Sequence, residues 1–288
     1  MMNCQVFKKK YCLFIACLLF ICMGIGSFYD YQISSKLYDS QNLFGIFFAS
    51  YGQLPAMLCL SVSGTLLLRM KDNTTSFKKV LCYIFAVLLN ALSIMAVAID
   101  PLLYIKNMSP LVSVMIAIII VGGIDVWVYR VTQQTPLHQI KKFIILLLGV
   151  MFVELIVINV IKISWGRPRM RFISEYSVDL FQPWWVIGSQ AKEHFMALGI
   201  ASEEFKSFPS GHTANAACAM LLGCLPLMIT KLKGKEDILF WLGALFTFIV
   251  AFSRIVAGAH FLTDVTIGMA VTFIIEIIII RYLWKKEL

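Results

Sequence analysis

Long, nearly unbroken apolar runs constrain the fold of this chain more than any other feature. They recur at about residues 11–28, 46–68, 80–99, 110–129, 143–162, 212–230, 238–256 and 260–282. Each approaches the roughly 20 helical residues that cross a hydrocarbon layer about 30 Å thick. Lipid offers no water to satisfy backbone N–H and C=O groups, so a crossing segment is either a helix or a strand of a closed barrel. Barrel strands are short and alternate in polarity; these runs do neither. The predicted fold is therefore all-α, a polytopic membrane helix bundle of about eight transmembrane helices. Hydrophobic residues make up 60% of the 288, which excludes an ordinary soluble domain.

A formal net charge of +9 would suit a nucleic-acid binder, but the placement of the charge does not. Arg69, Lys71, Lys78 and Lys79 fall in one connection between apolar runs, and Arg130, Lys141 and Lys142 in another. Lys231, Lys233 and Lys235 fall in a third, and the tail from Arg281 is basic again. Basic connections mark the cytoplasmic side of a membrane protein. With eight crossings, this pattern predicts a multi-pass protein of the cell membrane with both termini in the cytoplasm and residues 162–210 on the extracytoplasmic face. The expected partner is the membrane, with no nucleic acid. Lys8, Lys9 and Lys10 precede the first run as in a signal peptide, yet the run is long and lacks a small-x-small cleavage site, so it reads as the first helix. The eight cysteines lie in apolar runs or on the cytoplasmic side without Cys-x-x-Cys spacing, which predicts free thiols. Metal-ligand spacing is absent too, so neither metal nor cofactor is expected.

Polar chemistry gathers on the predicted outer face. Lys162-Ile-Ser-Trp-Gly-Arg167-Pro168-Arg169 closes the fifth run with three cations in eight residues, where the positive-inside rule expects few. Snorkelling cations that anchor the helix would account for them. A phosphate clamp would also, since an ammonium and planar guanidinium forks bind an anion more strongly where the dielectric is low. Pro209-Ser210-Gly211-His212 opens the sixth helix. Ser210 is a suitable N-cap, Gly211 lets an anion approach the free N–H groups of the helix start, and His212 beside that anion can move a proton. In the third stretch, Ser253 and Arg254 end the seventh helix, and Gly258 allows a turn. His260 and Asp264, four apart, are then expected on one face at the start of the eighth. An imidazole held by a carboxylate is an activated nucleophile or base.

The ordered pattern Lys-x6-Arg, Pro-Ser-Gly-His and Ser-Arg-x5-His-x3-Asp resembles the type 2 phosphatidic acid phosphatase superfamily. That superfamily includes membrane lipid phosphatases, glucose-6-phosphatase and soluble vanadium haloperoxidases. The resemblance divides the chain into N-terminal transmembrane helices over 1–142, which carry none of it, and a phosphatase core over 143–288. Family members commonly have six spans, so eight implies either two additional N-terminal helices or a miscounted pair. By resemblance, His260 attacks phosphorus to form a phosphohistidine, and Asp264 fixes its tautomer. His212 protonates the leaving oxygen and later activates water. Lys162, Arg169, Arg254, Ser210 and the Gly211 backbone hold the phosphate oxygens. Met170 stands where proline usually follows the arginine of the first motif, which leaves Arg167 as an alternative ligand. No metal is implied.

A site at the bilayer boundary implies a lipid phosphate as substrate. Phosphatidic acid, phosphatidylglycerophosphate, lysophospholipid and polyprenyl pyrophosphate all fit, and the outward face favours a polyprenyl carrier. Trp184 and Trp185 suit an interfacial entrance, and equally the simpler role of membrane-interface anchors. A lipid phosphotransferase would use the same residues with a hydroxyl acceptor in place of water. A transporter would instead use the intramembrane acids Asp125, Glu154 and Glu276.

The topology is testable without reference to chemistry. In a background lacking the native cysteines, Ser189→Cys should react with a membrane-impermeant thiol reagent on intact cells, and Ser76→Cys should not. The reverse pattern would put residues 162–210 in the cytoplasm.

Overall fold

The computed structural model describes residues 7–70 and 75–285. Cys4, Lys71 and the tail beyond Lys285 lie outside the described residues. Eleven α-helices follow one another and no strand occurs among the described residues: α1 Lys9–Leu37, α2 Leu43–Tyr51, α3 Leu54–Met70, α4 Ser76–Tyr104, α5 Pro110–Val131, α6 Leu137–Trp165, α7 Met170–Glu175, α8 Gln190–Ala197, α9 Gly211–Ala217, α10 Glu236–Val256 and α11 Leu262–Trp284. The protein is an all-α polytopic bundle.

Among the described residues, seven helical units are long and apolar enough to cross a membrane, α2 and α3 together forming one of them. The run predicted at 212–230 differs in kind. It starts as α9 and continues as a 3-10 helix over Cys218–Leu227, with Pro226 inside it. A 3-10 helix rises about 2.0 Å per residue against 1.5 Å for an α-helix. The 17 residues from Gly211 to Leu227 therefore reach about 30 Å, the thickness of the hydrocarbon layer.

Helix α11 is the hub, packed against α1, α6 and α9, while α10 lies along α9 and the 3-10 stretch. The contact of α11 with the start of α9 requires glycine. A Cβ on Gly268 of α11 would stand 2.4 Å from the Ser210 carbonyl oxygen, so only glycine lets α11 touch the turn that starts α9. Apolar packing is concentrated at the other end of the bundle, where Phe143, Ile140, Cys224 and Trp284 share one cluster. The outward surface carries exposed Phe20, Val87, Ile119 and Ile156, as a helix facing lipid should. None of the seven described cysteines forms a disulfide, in line with the sequence reading for those positions.

The connection from Gly166 to Pro209 contains no crossing. It folds as a cap over one end of the bundle, with α7, α8 and two short 3-10 turns. Aromatic contacts hold it down. Phe208 stacks on Trp165 at 5.0 Å and on Trp184 at 6.3 Å. The Trp165 indole donates to the Trp184 carbonyl, and the Trp184 indole donates to Ser27 Oγ of α1 at 2.9 Å. Trp184 is thus an internal anchor, while Trp185 remains exposed.

Candidate active site

The site is built where α6, α9, α10 and α11 end under the cap. Helix α6 stops at Gly166, which takes a left-handed conformation (φ +64°), as C-terminal glycines do. The chain then turns at Pro168, and this turn separates the two arginines of the first motif.

Arg167 points inward. Its Nε donates to the Gln182 carbonyl at 2.7 Å and its Nη1 to Thr263 Oγ1 at 2.9 Å and to Asp264 Oδ1. Its Nη2 donates to Asp30 Oδ2 at 2.9 Å. The guanidinium is 0% exposed and lies 4.3 Å from the Phe261 ring centroid. Arg167 was expected as an alternative phosphate ligand; the structure corrects this, because each of its three nitrogens is engaged by protein. It is the clamp that joins α1 to α11.

Arg169, two residues on, is left with free donors. It is 8% exposed, its Nε has no hydrogen-bond partner, and its Nη2 has only the Glu203 carboxylate at 3.5 Å. Arg254, near the end of α10, is 1% exposed, with Nε and Nη1 both lacking a partner. Its guanidinium stands 5.7 Å over the Tyr104 ring at the end of α4. The Lys162 ammonium lies 3.2 Å from the place a Cβ on Gly211 would occupy, directly over the first residue of α9.

Ser210 is the N-cap of α9. Its Oγ accepts from Thr213 N at 3.3 Å and contacts Thr213 Oγ1 at 3.0 Å, while its own N–H donates to the Asp264 carbonyl at 3.0 Å. His212 follows in the first turn, with Nε2 at 3.1 Å from the Ala49 carbonyl and its ring edge-on to Tyr104 at 5.8 Å. The charges of Arg254, His260 and Lys162 all act on His212. Those of Arg169, Lys162 and Asp264 act on His260. The three motifs therefore lie close together beneath the cap.

The turn between α10 and α11 delivers His260. Gly258 has φ +62°, and Ala259 N and His260 N both donate back to the Arg254 carbonyl, at 3.1 and 3.3 Å. His260 was expected inside the first turn of the last helix, held directly by Asp264. It sits instead just before α11, whose N-cap is Phe261, and the orientation is indirect. His260 Nδ1 donates to the Ser207 carbonyl at 2.5 Å, whereas Asp264 Oδ2 is 3.8 Å away. Asp264 takes the Ser207 hydroxyl and the Phe261 N–H, the latter at 2.8 Å. Ser207 thus bridges imidazole and carboxylate. With Nδ1 engaged as a donor, the lone pair of the neutral ring is on Nε2. Burial pushes the His260 imidazole down to about 3, the neighbouring cations Arg169 and Lys162 pushing the same way and Asp264 opposing them.

A family model described as the PAP2 superfamily matches residues 143–288. This chain belongs to the PAP2 superfamily. No curated protein and no solved structure matches it. PAP2 membership supports a phosphatase acting on phosphate esters, and it extends over half the chain. The remaining half supplies groups that sequence reading missed. Asp30 of α1 accepts from Thr263 N at 3.0 Å and from the Thr263 hydroxyl, so it caps α11 from outside. Tyr104 of α4 lies against both Arg254 and His212. Gln53 links Asp100 (2.7 Å) to Asn215 of α9 (2.5 Å).

The depressed His260 value has a signed consequence. The folded imidazole resists protonation down to about 3, whereas an unfolded one titrates near 6.5. Its contribution to stability is therefore complete above pH 6.5 and is lost as the pH falls toward 3. Between pH 6.5 and 5 the loss is on the order of 2 kcal/mol. Thermal midpoints of the purified protein should fall over this window, and those of His260→Gln should fall measurably less. Parallel slopes for the two proteins would contradict the assignment.

Proposed function

We propose that this PAP2 protein hydrolyses a lipid phosphate or pyrophosphate at a membrane face through a phosphohistidine on His260. The observation that carries the reading is the set of partnerless donors on buried Arg169 and Arg254, gathered with half-buried Lys162 around two histidines. Buried guanidinium donors without acceptors are costly. A phosphate group relieves that cost by supplying three oxygens.

In the proposed reaction the equatorial oxygens lie among Lys162, Arg169, Arg254 and the N–H groups at the start of α9, which helix geometry leaves without internal partners. Nε2 of His260 forms a bond to phosphorus as the bond to the leaving oxygen breaks, and His212 passes a proton to that oxygen. The imidazolium formed on His260 is stabilised by the Ser207 carbonyl and, through the Ser207 hydroxyl, by Asp264. In the second half His212 takes a proton from water. The water oxygen bonds to phosphorus, the N–P bond breaks, and phosphate leaves with His260 neutral again. The cations neutralise charge on the transferring group, a task metal ions perform in many other phosphoryl-transfer sites.

The lipid character of the substrate rests on the site's place at the end of a bundle of crossing helices, under a cap with exposed Val178, Trp185, Ile187 and Leu198. These side chains suit the interfacial zone. Polyprenyl pyrophosphate, phosphatidylglycerophosphate and phosphatidic acid are the candidate substrates. The charge pattern supports the cell membrane, with the site on the extracytoplasmic face and both termini inside.

Release of inorganic phosphate from a panel of these lipids tests the reading; no release from any of them would overturn it. The role of His212 is separable. His212→Ala should lose roughly 10²–10⁴-fold on a lipid monoester, and at least tenfold less on an aryl phosphate whose leaving group needs no proton. Equal losses on both substrates would remove His212 as the acid.

A further inference from the structure

A second anion-binding feature lies at the opposite end of the bundle. The last turns of α11 and the start of α1 enclose a groove of about 660 Å³ lined by Lys9, Arg281 and Lys285, with Ile277, Ile280 and Phe7 among its walls. Arg281 is 17 residues beyond Asp264 on the same helix, which places the groove about 25 Å from the candidate active site. None of the three cations has a hydrogen bond or ion pair among the described residues. Their neighbour Lys8 is different, because it pairs with Asp237 at 2.6 Å.

Below these charges runs an apolar track. Ile274, Ile278 and Tyr282 occupy successive turns of one face of α11 and are 55%, 61% and 80% exposed. Three cations above an exposed, continuous apolar stripe match an amphiphile with an anionic head and an acyl chain. A soluble anion would use the cations and leave the stripe uncovered.

We propose that this groove binds the headgroup of an anionic phospholipid of the leaflet opposite the candidate active site, with an acyl chain along Ile278 and Ile274. The site is separate from the catalytic pocket, and it does not depend on the catalytic reading. It rests on the groove, on its three cations without an ion pair among the described residues, and on the stripe beneath them.

Native mass spectrometry of the full-length protein in detergent tests the proposal, comparing phosphatidylglycerol with phosphatidylcholine of the same acyl chains. Wild type should retain phosphatidylglycerol at least tenfold more strongly. Each charge removed should weaken that preference about fivefold, so the triple variant Lys9→Gln, Arg281→Gln, Lys285→Gln should lose it. The double variant Arg169→Gln, Arg254→Gln, altered only in the catalytic pocket, should keep it. Should the triple variant fail to fold, Arg281→Gln against Arg281→Lys gives the same reading, a fivefold loss for the first and none for the second. Equal retention of both lipids by wild type, or an undiminished preference in the groove variants, would overturn the proposal. Displacement of the bound lipid by glycerol phosphate at equal concentration would also overturn it, since the ligand would then be a soluble phosphate.

Discussion

The arrangement of the pocket depends on one buried guanidinium held between two carboxylates. Arg167 joins Asp264 of α11 to Asp30 of α1 with no exposure to solvent. Removing one partner from such a buried group typically costs about 3–5 kcal/mol, because the others are left charged and unpaired. The two acids outnumber the single cation. The difference is offset by neutral donors on both acids, namely Thr263 N and its hydroxyl on Asp30, and Phe261 N with the Ser207 hydroxyl on Asp264. Both acids also lie at the positive end of α11. From this centre the order spreads outward: Asp264 fixes Ser207, Ser207 fixes His260, and the turn at Gly258 returns His260 to the Arg254 carbonyl.

Cations in the same short stretch have opposite fates, and the difference is whether the protein supplies acceptors. Arg167 is saturated and structural. Arg171, nearby, grips Glu204 through two hydrogen bonds. Arg169 and Arg254 keep buried donors open, and Lys162 stands over the start of α9. Burying charge without internal acceptors is sustained only where the rest of the fold enforces it. Such groups lie where a ligand's charge completes the arrangement. Glu154 and Glu276 show the acidic counterpart. Both are buried on crossing helices with carboxylate oxygens that lack partners, and Glu154 lies two turns below Lys162.

Much of this was legible in the sequence because lipid imposes a coarse code. Crossing helices announce themselves through length and apolarity: most predicted spans match single helices, while the one at 46–68 is divided between α2 and α3 and the one at 212–230 is mixed α and 3-10, with Pro226 inside it. His212, Arg254, His260 and Asp264 were singled out because each sits where an apolar run starts or stops. What sequence could not separate was Arg167 from Arg169. Both are arginines beside Pro168, and their roles diverge only through a left-handed glycine and an inward turn. Ser207, Asp30 and Tyr104 were invisible for another reason. Their contacts span long separations in the chain, from Asp30 to Thr263 and from Tyr104 to His212, and no local pattern encodes such pairings.

The central claim is that His260, oriented through Ser207 rather than by Asp264 directly, is the nucleophile. The most direct measurement is an acid-quenched reaction of the purified protein with ³²P-labelled substrate, followed by denaturation and detection of protein-bound label. Wild type should carry an acid-labile, base-stable phosphoryl group, as expected of a phosphoramidate, and His260→Ala should carry none. Label of the same amount and stability on His260→Ala would contradict the account.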